Sequence, residues 1–462
     1  MTLLPREAAG PARSAHVARQ GGRPSPGKLA VLAVRDFRRF YIGYSTSLLG
    51  TAMSSVAIAF AFLGTGGTAT GLGIVFTANI AGMIAFLLPG GAAADRLGRR
   101  RVMLAADLTR CAAQAALAAA LIAGHPGLWL FAAAALAVGA GNAFFSPALA
   151  GFPVQLVPPG RLGDANALLG AAEPAAQVAG PALAGILIAV TGPALVIAVD
   201  AATYAVSAFA LACLRRPGTA RPGPQRPLPA QRREPQRPPG PRPRARSLRR
   251  DLADGWAEFA AHPWLWPQTV QFALFNLVTW GPYLVLGPVL ARQYLGGARS
   301  WGVILACYGG GAVLGGLLAL GRRPRRPLLV ATLTTFGFAL PPLALALRLP
   351  LPAVAAAALT AGLASAFGDA FASTVTQRLV PAESLSRVSA FNMVGAYAFG
   401  PAAFAAAGPV AALFSARAVL ASGAAWSVAM TLAVLAVPAI RHQPWPEDPA
   451  VSSRRRPLSC RA

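Results

Sequence analysis

Five ionisable side chains interrupt long apolar runs: Asp107, Arg110, Glu173, Asp200 and Asp369. A charge at the centre of a membrane helix costs about 2.5–3.5 kcal/mol to insert, so such a residue faces a partner or a wet cavity. Asp107 and Arg110 are three residues apart and share one helix face, which predicts a structural ion pair; proton carriage by Asp107 is the alternative. Glu173, followed by Pro174, falls near the middle of its run, where a carboxylate suits reversible proton binding. Attraction of a cationic ligand, or pairing with an arginine, would also account for it. Asp200 is expected to make a contact between helices rather than to move protons. Asp369 could hold a ligand or pair with Arg378 or Arg387. Among neutral groups, Asn79, Gln114, Asn142, Gln177, Asn276, Trp280, Tyr308 and Asn392 are candidates for lining a central cavity, with interhelical hydrogen bonds as the competing explanation. No Gly-Lys phosphate loop, metal-ligand cluster or nucleophile–base pair is recognisable, and His16, His125, His262 and His442 lie in loops or tails. Neither an enzyme nor an ATP-driven device is expected, and no cofactor or metal.

The elements that must position these groups are membrane helices. Of the 462 residues 55% are hydrophobic and 12% charged, against about 25% charged in a soluble domain. Twelve runs approach or exceed the roughly 20 residues needed to span a bilayer. They lie near 40–63, 71–94, 102–123, 128–150, 164–190 and 194–214, then 265–291, 300–320, 327–347, 351–374, 385–409 and 412–437. The fold class is therefore an all-α membrane protein with two six-helix halves, 37–214 and 263–437. Between them lies a Pro- and Arg-rich linker, 215–247, too polar to bury a core. Residues 248–262 carry Leu248, Leu252, Trp256 and Phe259 at helical spacing, as expected of an amphipathic surface helix. The flanking segments 1–36 and 438–462 read as polar tails.

The net charge of +26 gathers at alternate ends of the runs, the opposite loops being nearly uncharged. Arginines gather in 6–39, in 96–101, in 215–250, at Arg322, Arg323, Arg325 and Arg326, and at Arg454–Arg456, while the loops 64–70, 124–127 and 191–193 carry none. That alternation is the positive-inside pattern and puts both termini in the cytoplasm of a cell (plasma or inner) membrane. It argues against a nucleic-acid partner. Cys111, Cys213, Cys307 and Cys460 fit no disulfide or metal spacing.

The halves echo each other. Leu156-Val157-Pro158 before the fifth run matches Leu379-Val380-Pro381 before the eleventh, and the two runs carry Gly180-Pro181 and Gly400-Pro401. Internal repeats of this kind mark secondary transporters, with the substrate site between the repeats.

The segment from Gly91 to Arg100, GAAADRLGRR, joins the second and third runs. With the six-plus-six layout it resembles the major facilitator superfamily, whose loop signature is G-x-x-x-D-R-x-G-R-[RK]. Asp107-Leu108-Thr109-Arg110, Asp164-Ala165-Asn166-Ala167-Leu168, Gly180-Pro181-Ala182-Leu183-Ala184-Gly185 and Asp200-Ala201-Ala202-Thr203-Tyr204 are similar to stretches of its enterobactin-exporter and macrolide-efflux group. The resemblance implies a gating latch at Gly91, Asp95, Arg96, Gly98, Arg99 and Arg100. Gly98 would permit a tight turn and Gly91 a close helix approach. The counterpart Gly321–Arg326 lacks the acid, so the latch would be asymmetric. Gly180, Pro181 and Gly185 resemble an antiporter motif. Members of the group often carry Asp after a glycine in the first run; here Thr51 follows Gly50. The expectation is a monomeric, proton-coupled exporter of a hydrophobic small molecule, such as a drug or siderophore, working by alternating access in the lipid bilayer. Nutrient uptake and a non-transporting sensor or scaffold are the alternatives.

Overall fold

The computed structural model describes residues 30–124, 126–214, 256, 259–380, 388, 392, 395 and 398–445, the side chains of Ala30, Leu88, Asp95 and Pro159 excepted. The linker 215–247 lies outside these residues, as do most of 248–262 and most of both tails.

Twelve helices follow the apolar runs. They are α1 (Arg35–Gly64), α2 (Ala69–Leu97), α3 (Arg99–Ala123), α4 (Leu128–Ala150), α5 (Leu162–Thr191) and α6 (Pro193–Ala212). After the linker come α7 (Leu265–Tyr294), α8 (Ala298–Ala319), α9 (Pro327–Ala346), α10 (Leu351–Leu379), α11 (Gly400–Phe414) and α12 (Ala416–Leu435). Eleven are long and apolar enough to cross a membrane; α11 is described over fifteen residues.

Local chemistry sets the boundaries. The Thr68 hydroxyl accepts from the Gly71 amide at the start of α2, satisfying one of the orphan donors of a first turn. Proline occupies the first turns of α6, α9 and α11, where no amide donor is needed. Gly98, at φ 89°, turns the chain from α2 to α3 in a single residue, a conformation that side chains other than glycine's resist. The break between α11 and α12 falls at Ser415, φ 75°, a few residues later than the hydropathy of 385–409 and 412–437 suggests. Ser415 caps α12 by accepting from the Ala418 amide. Two irregular turns interrupt the second half. A π turn spans Asn276–Trp280 in α7, and a 3-10 turn spans Thr335–Ala339 in α9, just before Pro341 and Pro342 remove two amide donors.

Within the first half α1 packs on α5 and α6, α2 on α4, and α3 on α4 and α6. The second half repeats each pairing: α7 on α11 and α12, α8 on α10, α9 on α10 and α12. The halves meet through α5 against α8 and α2 against α11, two contacts that exchange when the halves are exchanged.

Packing differs between the two ends. At the end away from the chain termini, one core cluster joins Met53, Phe60, Phe62 and Leu72 of the first half to Tyr283, Leu286, Trp301 and Leu420 of the second. At the terminal end each half has its own cluster, around Phe37, Phe40, Met103 and Phe152 in one and Trp264, Leu328, Val375 and Val434 in the other. Among the described residues the halves are thus fused at the far end and separate at the terminal end. Phe259, from the segment expected to form a surface helix, is buried in the second-half terminal cluster.

Candidate functional site

The contact of α5 with α8 is close because small groups line it. A Cβ on Gly302 would stand 2.4 Å from the Pro181 carbonyl, and one on Gly185 would stand 3.1 Å from the Ala298 carbonyl. The paired contact of α2 with α11 is built the same way, through Gly73 against Phe404 and Gly408 against Thr70. Beyond these seams the helices diverge and leave a cavity of about 640 Å³ between the halves.

Aromatic side chains form the second-half wall of that cavity. The Trp280 ring lies 5.3 Å from that of Tyr308 and 5.5 Å from that of Tyr283, which in turn lies 5.3 Å from Trp301. Phe76 of α2 meets Phe404 of α11 edge-on at 5.7 Å, across the boundary between halves. The first-half wall carries Asn79, Glu173 and Gln177. Asn79 donates to the Ala135 carbonyl at 3.0 Å. Glu173 is exposed to the cavity, and among the described residues no basic side chain pairs with it. Its reading as an arginine-paired structural acid is set aside. Such a wall, apolar and aromatic with a few convergent polar groups, is the usual make-up of a small-molecule site, and ring faces also attract cations.

A second polar group lies inside the first half, away from the cavity. Asp107 and Arg110 form the predicted ion pair, and both are buried. Arg110 also donates to Asn142 Oδ1 at 2.7 Å and lies over the rings of Phe145 and Tyr204, 4.6 and 4.5 Å from their centres. Asp200 is wholly buried; its Oδ2 accepts from Gln114 Nε2 at 2.7 Å, and the same nitrogen donates to Ser54. Thr51, which follows Gly50, shares a 2.8 Å hydrogen bond with the Tyr204 hydroxyl.

Several sequence expectations change in consequence. Gln114 and Asn142 do not line the cavity; they satisfy Asp200 and Arg110 in the bundle interior. Asn276 is buried at the π turn and donates to the Phe272 carbonyl, outside the cavity wall. Asp369 and Asn392 line a different cavity, within the second half. Gln177, Trp280, Tyr308 and Asn79 are lining residues as expected. Of the α5 motif, Gly180 faces α1 at Ala52 while Pro181 and Gly185 face α8; its small groups serve helix contact on both sides.

The basic turn is docked on its own half. Arg100 donates to the carbonyls of Leu211 and Ala212 at 2.7 and 2.6 Å, and Arg99 donates to that of Gly151. These carbonyls end α6 and α4, where the helix dipole favours a cation. Arg96 is exposed, and Asp95 is described by its backbone in the last turn of α2. A Cβ on Gly91 would meet nothing within 4 Å; the close approach expected there is made one residue earlier, by Gly90 against the Ala143 carbonyl.

One feature of the site went unread in the sequence. The far end is not free of arginine in the second half: Arg292, Arg299, Arg348 and Arg417 lie there. Arg292 donates across the boundary between halves to the Leu63 carbonyl at the end of α1, and Arg417 donates to the Ala346 carbonyl at the end of α9. Arginine at a helix C-terminus satisfies an orphan carbonyl. Its presence in an otherwise uncharged set of loops was the available signal.

The sequence profile described as Major Facilitator Superfamily matches residues 40–397. The chain belongs to this superfamily. Its helix pairing, exchanged across two halves, is the repeat architecture of such a transporter. Its relatives include the multidrug efflux pump Tap of Mycolicibacterium fortuitum, 28% identical over 380 residues, covering 79% of this chain and 87% of the pump. The pump of the same name from Mycobacterium tuberculosis (strain ATCC 25618 / H37Rv) is 27% identical over 406 residues, covering 85% and 91%. Among solved structures, the nucleoside transporter NupG superposes with a TM-score of 0.62 at 12% identity, covering 87% of this chain and 99% of that one. A bacterial homologue of the lysosomal transporter Spinster, in an inward-facing and unoccupied conformation, gives 0.59 at 14%, covering 91% and 97%. These two establish a shared fold.

Proposed function

We propose that this protein is an efflux transporter for hydrophobic organic cations, that it works by alternating access, and that it exchanges them for protons. The observation that carries the reading is Glu173, a carboxylate with no basic partner among the described residues, facing an aromatic cavity between the halves. A cation seated there gains the charge of Glu173 and the faces of Trp280 and Tyr308. A proton and an organic cation compete for one carboxylate. Proton arrival expels the cation, and cation binding displaces the proton, so exchange follows without a second coupling group. The multidrug efflux pumps among the relatives support the direction. The arginines of the terminal end, Arg96, Arg99–Arg101, Arg322, Arg323, Arg325 and Arg326, support cytoplasmic termini, so that the separated ends face the cytoplasm and the fused ends the outside.

Inverted membrane vesicles incubated with ethidium test this. Wild-type protein is expected to accumulate the dye under a proton gradient and to stop when the gradient is collapsed. Glu173→Gln is expected to lose gradient-dependent accumulation. Accumulation that persists without the gradient refutes proton exchange, and full activity of Glu173→Gln refutes the assignment of the site.

A further inference from the structure

A second cavity, of about 570 Å³, lies inside the second half at its terminal end, between α7, α9, α10 and α12. It does not belong to the space between the halves. Its floor is a closed triangle of hydrogen bonds: Gln271 donates to Thr335 and Thr431 at 3.1 and 3.3 Å, and the two threonine hydroxyls are 2.8 Å apart. Phe275 and Phe338, with ring centres 4.6 Å apart, form an aromatic side. Among the described residues, the one side chain in the lining with a full negative charge is Asp369. Its one hydrogen bond is from the Ser365 hydroxyl at 3.4 Å, and among the described residues no basic group pairs with it.

A carboxylate in a helical bundle within a membrane is costly unless something compensates it. In the first half the compensation is visible: Asp107 has Arg110, and the Asp200 carboxylate has Gln114 at 2.7 Å and Thr203 at 3.5 Å. Asp369 has a cavity instead, of the size small molecules occupy. Next to the charge are hydroxyls and amides that can accept and donate, and two ring faces. We infer that this cavity is a second binding site, for an organic cation that also carries hydrogen-bonding groups. Phe275 joins the two cavities' walls, its ring stacked 6.1 Å from Trp280 of the central one. The π turn Asn276–Trp280 lies directly after it. The second site is therefore separated from the first by one aromatic pair on a locally irregular helix. It stands toward the terminal end, from which a cation bound for export would come. The inference goes beyond the proposed role of Glu173 and does not depend on it.

The experiment counts sites. The protein in nanodiscs is equilibrated with radiolabelled ethidium, a permanent cation that carries two amino groups, and bound equivalents are measured by equilibrium dialysis. Two equivalents are expected for wild type and one for Asp369→Asn. Glu173→Gln should also bind one, and the doubly substituted chain none. Ser373→Phe fills the second cavity without touching its charge, and it should likewise bind one. Because an unfolded variant would lose both equivalents, the equivalent remaining in Asp369→Asn and in Ser373→Phe must be the one that Glu173→Gln removes. A single equivalent in wild type that Asp369→Asn retains overturns the inference, as do two equivalents in Asp369→Asn. Loss of both equivalents in Asp369→Asn, with the protein still monodisperse and folded, overturns it too, because the two cavities would then be one site. If Asp369→Asn binds two and Glu173→Gln one, the central site stands and the second fails; the reverse pattern removes the central site instead.

Discussion

Gly302→Ala separates the two conformations that alternating access requires. The glycine lies on α8 where it crosses α5, and an added Cβ would stand 2.4 Å from the Pro181 carbonyl and 3.0 Å from Gly185 Cα. Ordinary contact begins near 3.4 Å, so α8 must retreat by about 1 Å, or the seam must open. Inserting a methyl into such a contact costs about 1–3 kcal/mol, and this cost exists only while the far ends are fused. The gain from replacing a helical glycine, about 0.5–1 kcal/mol, is the same in both conformations and cancels from their ratio. The balance should therefore move toward the form open at the far end by about 5- to 150-fold. Gly310→Ala is the matched control: same helix, same substitution, and nothing within 4 Å of the new Cβ. Spin labels placed at Pro126 and Leu349, in far-end loops of the two halves, report the change through double electron–electron resonance. Gly302→Ala should show a new population at longer distance, and Gly310→Ala the wild-type distribution. Superimposable distributions for the two variants would refute the claim that this seam holds the far end shut.

Two further substitutions test the interior and the basic turn. Asp107→Asn leaves Arg110 buried with its charge uncompensated, which should cost about 3–5 kcal/mol of stability; adding Arg110→Gln should restore part of it, and a single variant that unfolds thermally like wild type would show that the pair contributes nothing. Gly98→Ala forces a side chain into φ 89° at a cost of about 1–3 kcal/mol, lowering the melting temperature in detergent, while Gly91→Ala, helical and facing open space, should not lower it and should raise it slightly.

The helices were legible because hydropathy alone marks a span, and the halves because short motifs recur at matching places. The Asp107–Arg110 pair was legible because i, i+3 spacing fixes a shared face whatever surrounds the helix. What could not be read was the direction in which each face points. In a soluble helix an apolar stripe shows the inner side, but a membrane helix is apolar toward lipid and toward its neighbours alike. Gln114, Asn142 and Gln177 are therefore equivalent as letters. Yet the first two bond inside the first half and the third faces the cavity. Gly91 fails for a related reason: which of two adjacent glycines meets α4 depends on a rotation of about 100° that follows from the 3.6-residue turn.

The unequal treatment of carboxylates in the two halves bears on mechanism. In the first half Asp107 and Asp200 are enclosed by groups contributed from α1, α3, α4 and α6. A helix in that set cannot slide without leaving a buried charge or donor unsatisfied, so the first half should move as a unit. In the second half Asp369 faces a cavity rather than a partner, and α7 and α9 carry their irregular turns on either side of the Phe275–Phe338 contact. A π turn and a 3-10 turn hold fewer regular backbone bonds to break, so the deformable helices are those beside the unpaired charge. On the proposed reading of the two cavities, rocking of a stiff first half against a second half that can reshape would place adaptability to different cations in the second half. The resistance that keeps the far end closed then falls to the seams of α5 with α8 and α2 with α11.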